Sequence, residues 1–351
     1  MKMRFWRHEL QLAHRWTISR ELGPDGGGGA DREPVVFVEL TDKAGVTGLG
    51  EAAPSPRYDE TPASVIAFLE RVNPYQLSFS DLEGSKHYLN SVGPGSFCAK
   101  GALNIALLDG AAKRAGKPLH DFLGLAFTEG KHLTSFSIGI ATPEVIRQKV
   151  AAAADFPVLK LKLGSADDRA ALQALREVAP EKRIRVDANE AWHTKEGALR
   201  NLEWLATDGK IEFVEQPMPA ACAPADQEWL KARSPLPLMA DEAYVYAGDV
   251  EPCAAGFHAV NVKLVKAGGA SAGLEALRAA RKAGLKTMLG CMIESSVLIN
   301  AAAHLAELTD YLDLDGNLLT TNDPFRGVGC RNGVLSFADA PSPFGLQVAP
   351  R

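Results

Sequence analysis

From Leu133 onward the chain keeps one rhythm, and that rhythm restricts the fold more than any single motif. Short apolar runs at 134–140, 157–163, 183–188, 211–216, 236–241, 259–265, 286–292 and 310–315 are separated mostly by amphipathic stretches. Pro143 to Ala154, Asp167 to Val178, Lys195 to Ala206, Ser271 to Ala283 and Ser296 to Leu308 place apolar residues at helical spacing. Eight strands with seven connections suit an α/β fold of the (β/α)7β type, a TIM barrel modified by loss of its last helix. A doubly wound open sheet competes with this. It is weakened because no Gly-x-Gly-x-x-Gly follows an early strand and no Gly-Lys-Ser/Thr phosphate loop occurs.

At 351 residues the chain has room for such a barrel and an accessory domain. Residues 3–12, 35–41 and 45–50 read as strands, and 61–72 and 98–115 as helices, which makes residues 1–125 an α+β capping domain. The barrel then occupies 126–318, and the Gly-, Pro- and Asn-rich segment 319–351 is expected to return to the capping domain and complete it. Within the first domain, Gly23-Pro-Asp-Gly-Gly-Gly-Gly29 cannot hold a regular element. Residues of about 14–32 are therefore expected to form a mobile flap, either a solvated hairpin loop or a lid over a site.

Composition narrows the function classes. A net charge of −5 with no basic excess argues against nucleic acid or an anionic membrane as partner. No apolar run approaches the ~18 residues of a membrane span, and Met1-Lys-Met-Arg-Phe-Trp-Arg-His lacks a signal core, so a cytoplasmic location is the default expectation. The five cysteines are scattered without metal-type spacing and read as reduced thiols.

Charged residues recur at equivalent places in successive strands. Lys160 and Lys162 lie on the second strand, Asp187 and Asn189 close the third, and Glu215 closes the fourth. Asp241 and Glu242 close the fifth, Lys263 lies in the sixth, and Asp313 and Asp315 close the eighth. In a barrel all C-terminal strand ends open on one face, so these side chains converge. Any one such carboxylate could merely cap the next helix. Three on adjacent strands, Asp187, Glu215 and Asp241, would repel one another unless a cation sat among them, and hard oxygen ligands suit Mg²⁺. The second and sixth strands are diametrically placed, so Lys162 and Lys263 flank that site. A neutral lysine on each side of a carbon acid can remove a proton from one face and return it to the other, which is the geometry of racemisation or epimerisation. Nearby cations would lower such a lysine toward the working range, and Mg²⁺ on the neighbouring carboxylate would stabilise the enediolate. Lys160 reads as either a base or a clamp on the substrate carboxylate. A Schiff-base lyase, or a scaffold whose lysines only neutralise acidic strands, remains open at this point.

Lys160-x-Lys162, Asp187-x-Asn189, Glu215-Gln-Pro217, Asp241-Glu242 and Asn261-x-Lys263-x-x-Lys-Ala-Gly-Gly269 resemble the muconate lactonizing enzyme subgroup of the enolase superfamily in order and spacing. The resemblance covers nearly the whole chain, including Gly48-Leu-Gly-Glu51-Ala and Ala106-Leu-Leu-Asp109-Gly. It implies that Lys160 orients the substrate carboxylate and that Lys162 and Lys263 are the two bases. Asp187, Glu215 and Asp241 would hold one Mg²⁺ per subunit. A homo-oligomer is compatible with the resemblance.

Within the subgroup, Asp313-Leu-Asp315-Gly looks like the dipeptide epimerases, including those acting on L-Ala-D/L-Glu, where the pair holds a free α-amino group. The expected reaction is therefore inversion of the α-carbon of the C-terminal residue of a dipeptide through a metal-stabilised enediolate. N-acylamino acid racemases and o-succinylbenzoate synthases would share the bases without needing Asp313 and Asp315. Asn189 joins the expected substrate-binding set. Trp16 and Arg20, with His14, Arg15 and Thr17, are expected to choose the side chain from the flap. An acidic second residue would need Arg20 or Arg15 as its cation, whereas Trp16 would suit an apolar one.

Overall fold

The computed structural model describes residues 1–23 and 28–351; the tip of the expected mobile glycine connection, 24–27, lies outside the described residues. The chain opens with an antiparallel sheet of β1 (Lys2–Trp16), β2 (Ala30–Thr41) and β3 (Thr47–Ala52). β1 and β2 pair from Lys2↔Thr41 to Gln11↔Arg32, then shift register to Trp16↔Ala30. This extended pairing carries both strands beyond their expected ends, so residues 14–16 and 30–32 lie on strands rather than in the flap. Between them, Ser19–Glu21 forms one short 3-10 turn.

Four helices cover the sheet and link it to the next domain: α1 (Pro62–Glu70), α2 (Leu82–Val92), α3 (Phe97–Arg114) and α4 (Leu119–Phe122). α1 starts at Thr61, whose hydroxyl accepts from Ser64 N–H at 3.1 Å, with Pro62 in the first turn, where its missing N–H does no harm. Gly48 and Gly50 explain the seating of α3 on β3. A Cβ at either would collide with the carbonyl of Ala106 or Ala102, so helix and strand touch backbone to backbone.

Eight parallel strands follow in sequence order: β4 (Phe136–Ile138), β5 (Val158–Lys162), β6 (Arg183–Asp187), β7 (Ile211–Glu215), β8 (Leu238–Ala240), β9 (Ala259–Val262), β10 (Lys286–Gly290) and β11 (Tyr311–Asp313). Thr134 pairs with Leu312, and Ser135 N–H donates to the Leu312 carbonyl at 3.1 Å, closing the ring between first and last strand. Alternation along β5 points Leu159 and Leu161 outward and Lys160 and Lys162 inward, and all four are buried. The outer layer is α5 (Pro143–Ala152), α6 (Asp168–Val178), α7 (Lys195–Ala206), α8 (Pro224–Lys231), α9 (Val250–Gly256), α10 (Leu264–Ala267), α11 (Ala270–Lys282) and α12 (Ser296–Ala303). α8, α9 and α10 are too short for helical spacing to show in sequence, and Pro224 and Pro252 blur the first two. After β11 the described residues hold no α-helix: a 3-10 turn, Gly316–Leu319, is followed by four short strands, Phe325–Arg326, Gly329–Arg331, Val334–Ser336 and Ala349–Pro350. The fold is thus the expected modified barrel with an antiparallel capping sheet.

Two buried carboxylates join cap to barrel and tail. Glu51 on β3 accepts from Ser295 N–H at 2.9 Å, Ser295 Oγ at 2.5 Å and Leu298 N–H at 3.1 Å, completing the N-terminus of α12. Asp109 on α3 accepts from Leu49 N–H at 2.8 Å and from Leu346 N–H at 2.7 Å, binding the last residues to the cap. The tail also touches the barrel, where Asn300 Nδ2 donates to the Leu346 carbonyl at 2.9 Å. Among the described residues no helix is long and apolar enough to cross a membrane, and the five cysteines are free.

Candidate active site

Strand register builds the site. Lys162 lies opposite Asp187, and Asp187 opposite Glu215, so three charged residues stand side by side at the C-terminal ends of β5, β6 and β7. Asp241 follows β8, and its backbone N–H is held by Gln216 Oε1 at 3.0 Å, with Gln216 in a left-handed conformation. Asp187, Glu215 and Asp241 are all buried, and each offers an oxygen within 4.8 Å of the others. Glu215 Oε1 accepts from Asn261 Nδ2 at 2.9 Å, while Oε2 faces the Lys160 ammonium at 2.8 Å.

Three carboxylates held this close cannot all stay charged without added positive charge. Burial opposes ionisation of Asp187 and Asp241, but Lys162 and Lys160 beside the first, and Lys263 and Lys266 beside the second, hold both below the usual carboxylate range. The mismatch falls on Glu215, pushed up to about 8 by burial and then by the charge of Asp187. An all-oxygen triad whose third carboxylate is left short of positive charge fits a hard divalent cation such as Mg²⁺.

Each lysine has a different environment. Lys160 Nζ lies 2.7 Å from Asp313, 2.8 Å from Glu215 and 3.1 Å from Asp187. Burial alone would favour its neutral form, but Asp313 and Glu215 outweigh that and hold it charged. Lys162 Nζ lies 2.6 Å from Asp187 and 5.9 Å from the centre of the Trp16 ring. Lys263 Nζ lies 2.9 Å from Asp241, which overcomes burial and raises the lysine. From sequence, nearby cations are expected to lower such lysines, but the nearest neighbours of Lys263 include this anion. β5 and β9 stand four strands apart in the ring of eight, so Lys162 and Lys263 face the triad from opposite sides.

The two aspartates after β11 differ, although their spacing suggests an equivalent pair. Asp313 is engaged by Lys160 and accepts from Ser135 Oγ at 2.7 Å. Asp315 accepts from Ser137 N–H at 2.6 Å, has no cationic partner among the described residues, and is pushed up to about 7 by burial and by Asp313. Both line the same open cleft, of about 150 Å³, as the three lysines and Asn189.

The cap closes this cleft with Trp16, Ile18, Arg20, Glu21 and Glu33. Arg20 is ion-paired to Glu242 and lies 3.4 Å from Glu190. Arg15 turns away, donating to the Gly28 carbonyl at 2.6 Å and to Asp31 at 2.9 Å. His14 lines a neighbouring cavity beyond Trp16, and Thr17 is buried in the flap base. Asn189 donates its backbone N–H to Asp187 at 2.9 Å, and its Oδ1 is unpartnered among the described residues.

Several participants have no role in the sequence reading. Lys266 donates to Asp241 Oδ1 and to the Asp241 carbonyl, both at 2.6 Å; its position one helical turn after Lys263 was the available signal. Arg57 forms a bidentate pair with Glu190, at 2.7 and 2.8 Å, from loops 133 residues apart, and no local spacing announces it.

Residues 144–323 match the enolase C-terminal domain-like family, and residues 27–124 match the mandelate racemase / muconate lactonizing enzyme N-terminal domain. An L-Ala-D/L-amino acid epimerase of Pedosphaera parvula is 58% identical over 348 residues, covering 99% of each chain. Among solved structures, the L-Ala-D/L-Glu epimerase from Bacillus subtilis, in a substrate-liganded complex, superposes with a TM-score of 0.90 at 26% identity, covering 100% of this chain and 98% of that one. A dipeptide epimerase from Cytophaga hutchinsonii, complexed with Mg and D-Ala-L-Val, gives a TM-score of 0.90 at 25% identity, covering 99% of this chain and 95% of that one.

Proposed function

The chain belongs to the enolase superfamily, as a member of its mandelate racemase and muconate lactonizing enzyme branch, and from that premise we propose that it is a Mg²⁺-dependent dipeptide epimerase inverting the α-carbon of the C-terminal residue. The observation that carries the reading is the pair Lys162 and Lys263, each against a different carboxylate of one buried triad and on opposite sides of the barrel mouth. The 58% identical epimerase supports the dipeptide class.

Asp187, Glu215 and Asp241 would hold the divalent ion. When bound, that ion would supply positive charge to the substrate carboxylate and offset the Asp241 carboxylate that raises Lys263. Lys160, held charged by three anions, serves as the clamp on the substrate carboxylate rather than as a base. Lys162 takes the α-proton from one face and Lys263 returns one to the other, or the reverse for the opposite diastereomer. Asp315, lacking a cation of its own, receives the substrate ammonium group, and Asp313 stands beside it already paired with Lys160. An N-acyl substrate would leave Asp315 facing a neutral acyl group, so the geometry favours the free amine.

The test is incubation with a small library of dipeptides and N-succinylamino acids in D₂O with Mg²⁺, reading mass gain and stereochemistry. Deuterium should enter the α-carbon of the second residue of at least one dipeptide, with loss of stereochemical purity. Turnover of N-succinylamino acids alone would contradict the proposal.

A further inference from the structure

We infer that the flap side of the cleft selects dipeptides whose second residue carries no negative charge, because Arg20 is already committed to the protein's own carboxylates. The inference rests on the dipeptide reading above. Arg20 Nη1 is ion-paired to Glu242 and lies 3.4 Å from Glu190, and it reaches the Asn189 carbonyl at 3.5 Å. Glu190 is also clamped by Arg57 through both oxygens. Two arginines thus balance two glutamates. Glu21 and Glu33 remain on the cleft wall, and neither joins an ion pair among the described residues.

Drawing Arg20 onto a substrate carboxylate would leave Glu242, only 4% exposed, without its countercharge, and among the described residues Glu242 Oε2 already lacks a donor. Stripping one partner from a buried ion pair is strongly unfavourable. Burial pushes Glu33 up to about 7, and any added anion would raise it further. Independently, Asn189, which follows β6 and is 3% exposed, lines the same cleft, and its Oδ1 has no partner among the described residues. That oxygen can accept from a substrate N–H or ammonium but can only repel a carboxylate. Trp16 and Ile18 add apolar surface, so uncharged and basic side chains fit the lining.

The test compares L-Ala-L-Met, L-Ala-L-Lys and L-Ala-L-Glu as substrates of the Mg²⁺-loaded enzyme in D₂O at pH 8, where Glu33 is largely ionised. kcat/KM for the Met and Lys dipeptides should exceed that for the Glu dipeptide by about tenfold or more, the scale expected of uncompensated like charge. Equal or higher kcat/KM with L-Ala-L-Glu would overturn the inference. Silence of all three would instead sink the dipeptide reading beneath it. In the double variant Glu21→Gln/Glu33→Gln, the Glu-to-Met ratio of kcat/KM should rise several-fold. An unchanged ratio would remove these residues from the selection.

Discussion

The two halves of the cleft are built differently. On the barrel side, Lys160, Lys162, Asp187 and Glu215 stand on or at the ends of adjacent paired strands, and backbone hydrogen bonds set their spacing before any side-chain contact forms. On the cap side, Arg20 projects from a single 3-10 turn, and its guanidinium is held by the carboxylates of Glu242 and Glu190 and the Asn189 carbonyl rather than by strand pairing. A rigid wall suits groups that must meet a reacting carbon within tenths of an ångström, and an adjustable wall suits groups that only choose a side chain. Chemistry and selectivity should therefore respond separately to mutation.

The largest effect is expected on the barrel side. Glu215→Gln removes one charge from the triad, and kcat/KM should fall on the order of 10³-fold. A readout independent of turnover is thermal: Mg²⁺ should raise the melting temperature of the parent protein and leave that of the variant nearly unchanged, by linkage. Equal Mg²⁺ shifts in both proteins would detach Glu215 from the metal. Next comes Asp315→Asn, which should raise KM for dipeptides by roughly 10²-fold, as expected for losing a charged partner of an ammonium, with Mg²⁺ affinity little changed. A fall in kcat at constant KM would move Asp315 from binding to chemistry.

The smallest expected effect lies on the flap side and concerns stability. Glu33 is raised by burial first, then by Glu21 and Glu9, from its ordinary value of 4.5 to about 7. The folded state therefore keeps this proton over a window in which the unfolded chain has lost it. The associated stability is fully present below pH 4.5 and is lost as pH rises through 7. Glu33→Gln should shrink the difference in unfolding free energy between pH 5 and pH 8 by about 1–2 kcal/mol, allowing for solvent screening. Denaturant titration at the two pH values measures it, and an unchanged difference would place the Glu33 carboxyl in water.

The same contrast explains what the sequence disclosed. The barrel was legible because its period repeats: apolar runs bury both faces of each strand, so a charge at the same point of run after run marks one convergent mouth. Lys162, Asp187 and Glu215 were readable from that alone. The cap side lacked such a period. The glycine run suggested a flap from about 14 to 32, yet β1 and β2 continue pairing to Trp16 and Ala30 across a register shift that residue propensities do not announce. Arg15 and Arg20 looked interchangeable as cations until their partners were placed, one folded onto its own hairpin and the other onto Glu242. Asp313 and Asp315 looked equivalent for the same reason: alternation gives a shared face but says nothing of Lys160 lying 2.7 Å from only one of them.

The two-base assignment is tested most directly by measuring α-deuterium exchange into the L,L and L,D diastereomers of one accepted dipeptide separately, for Lys162→Ala and for Lys263→Ala. Epimerisation should fall by about 10²–10⁴-fold in both variants, the usual weight of a positioned base. Each variant should keep exchange with one diastereomer, and the two should keep opposite ones. Exchange of both diastereomers at parental rates in both variants, or loss of the same one, would contradict the placement of Lys162 and Lys263 on opposite faces of the reacting carbon.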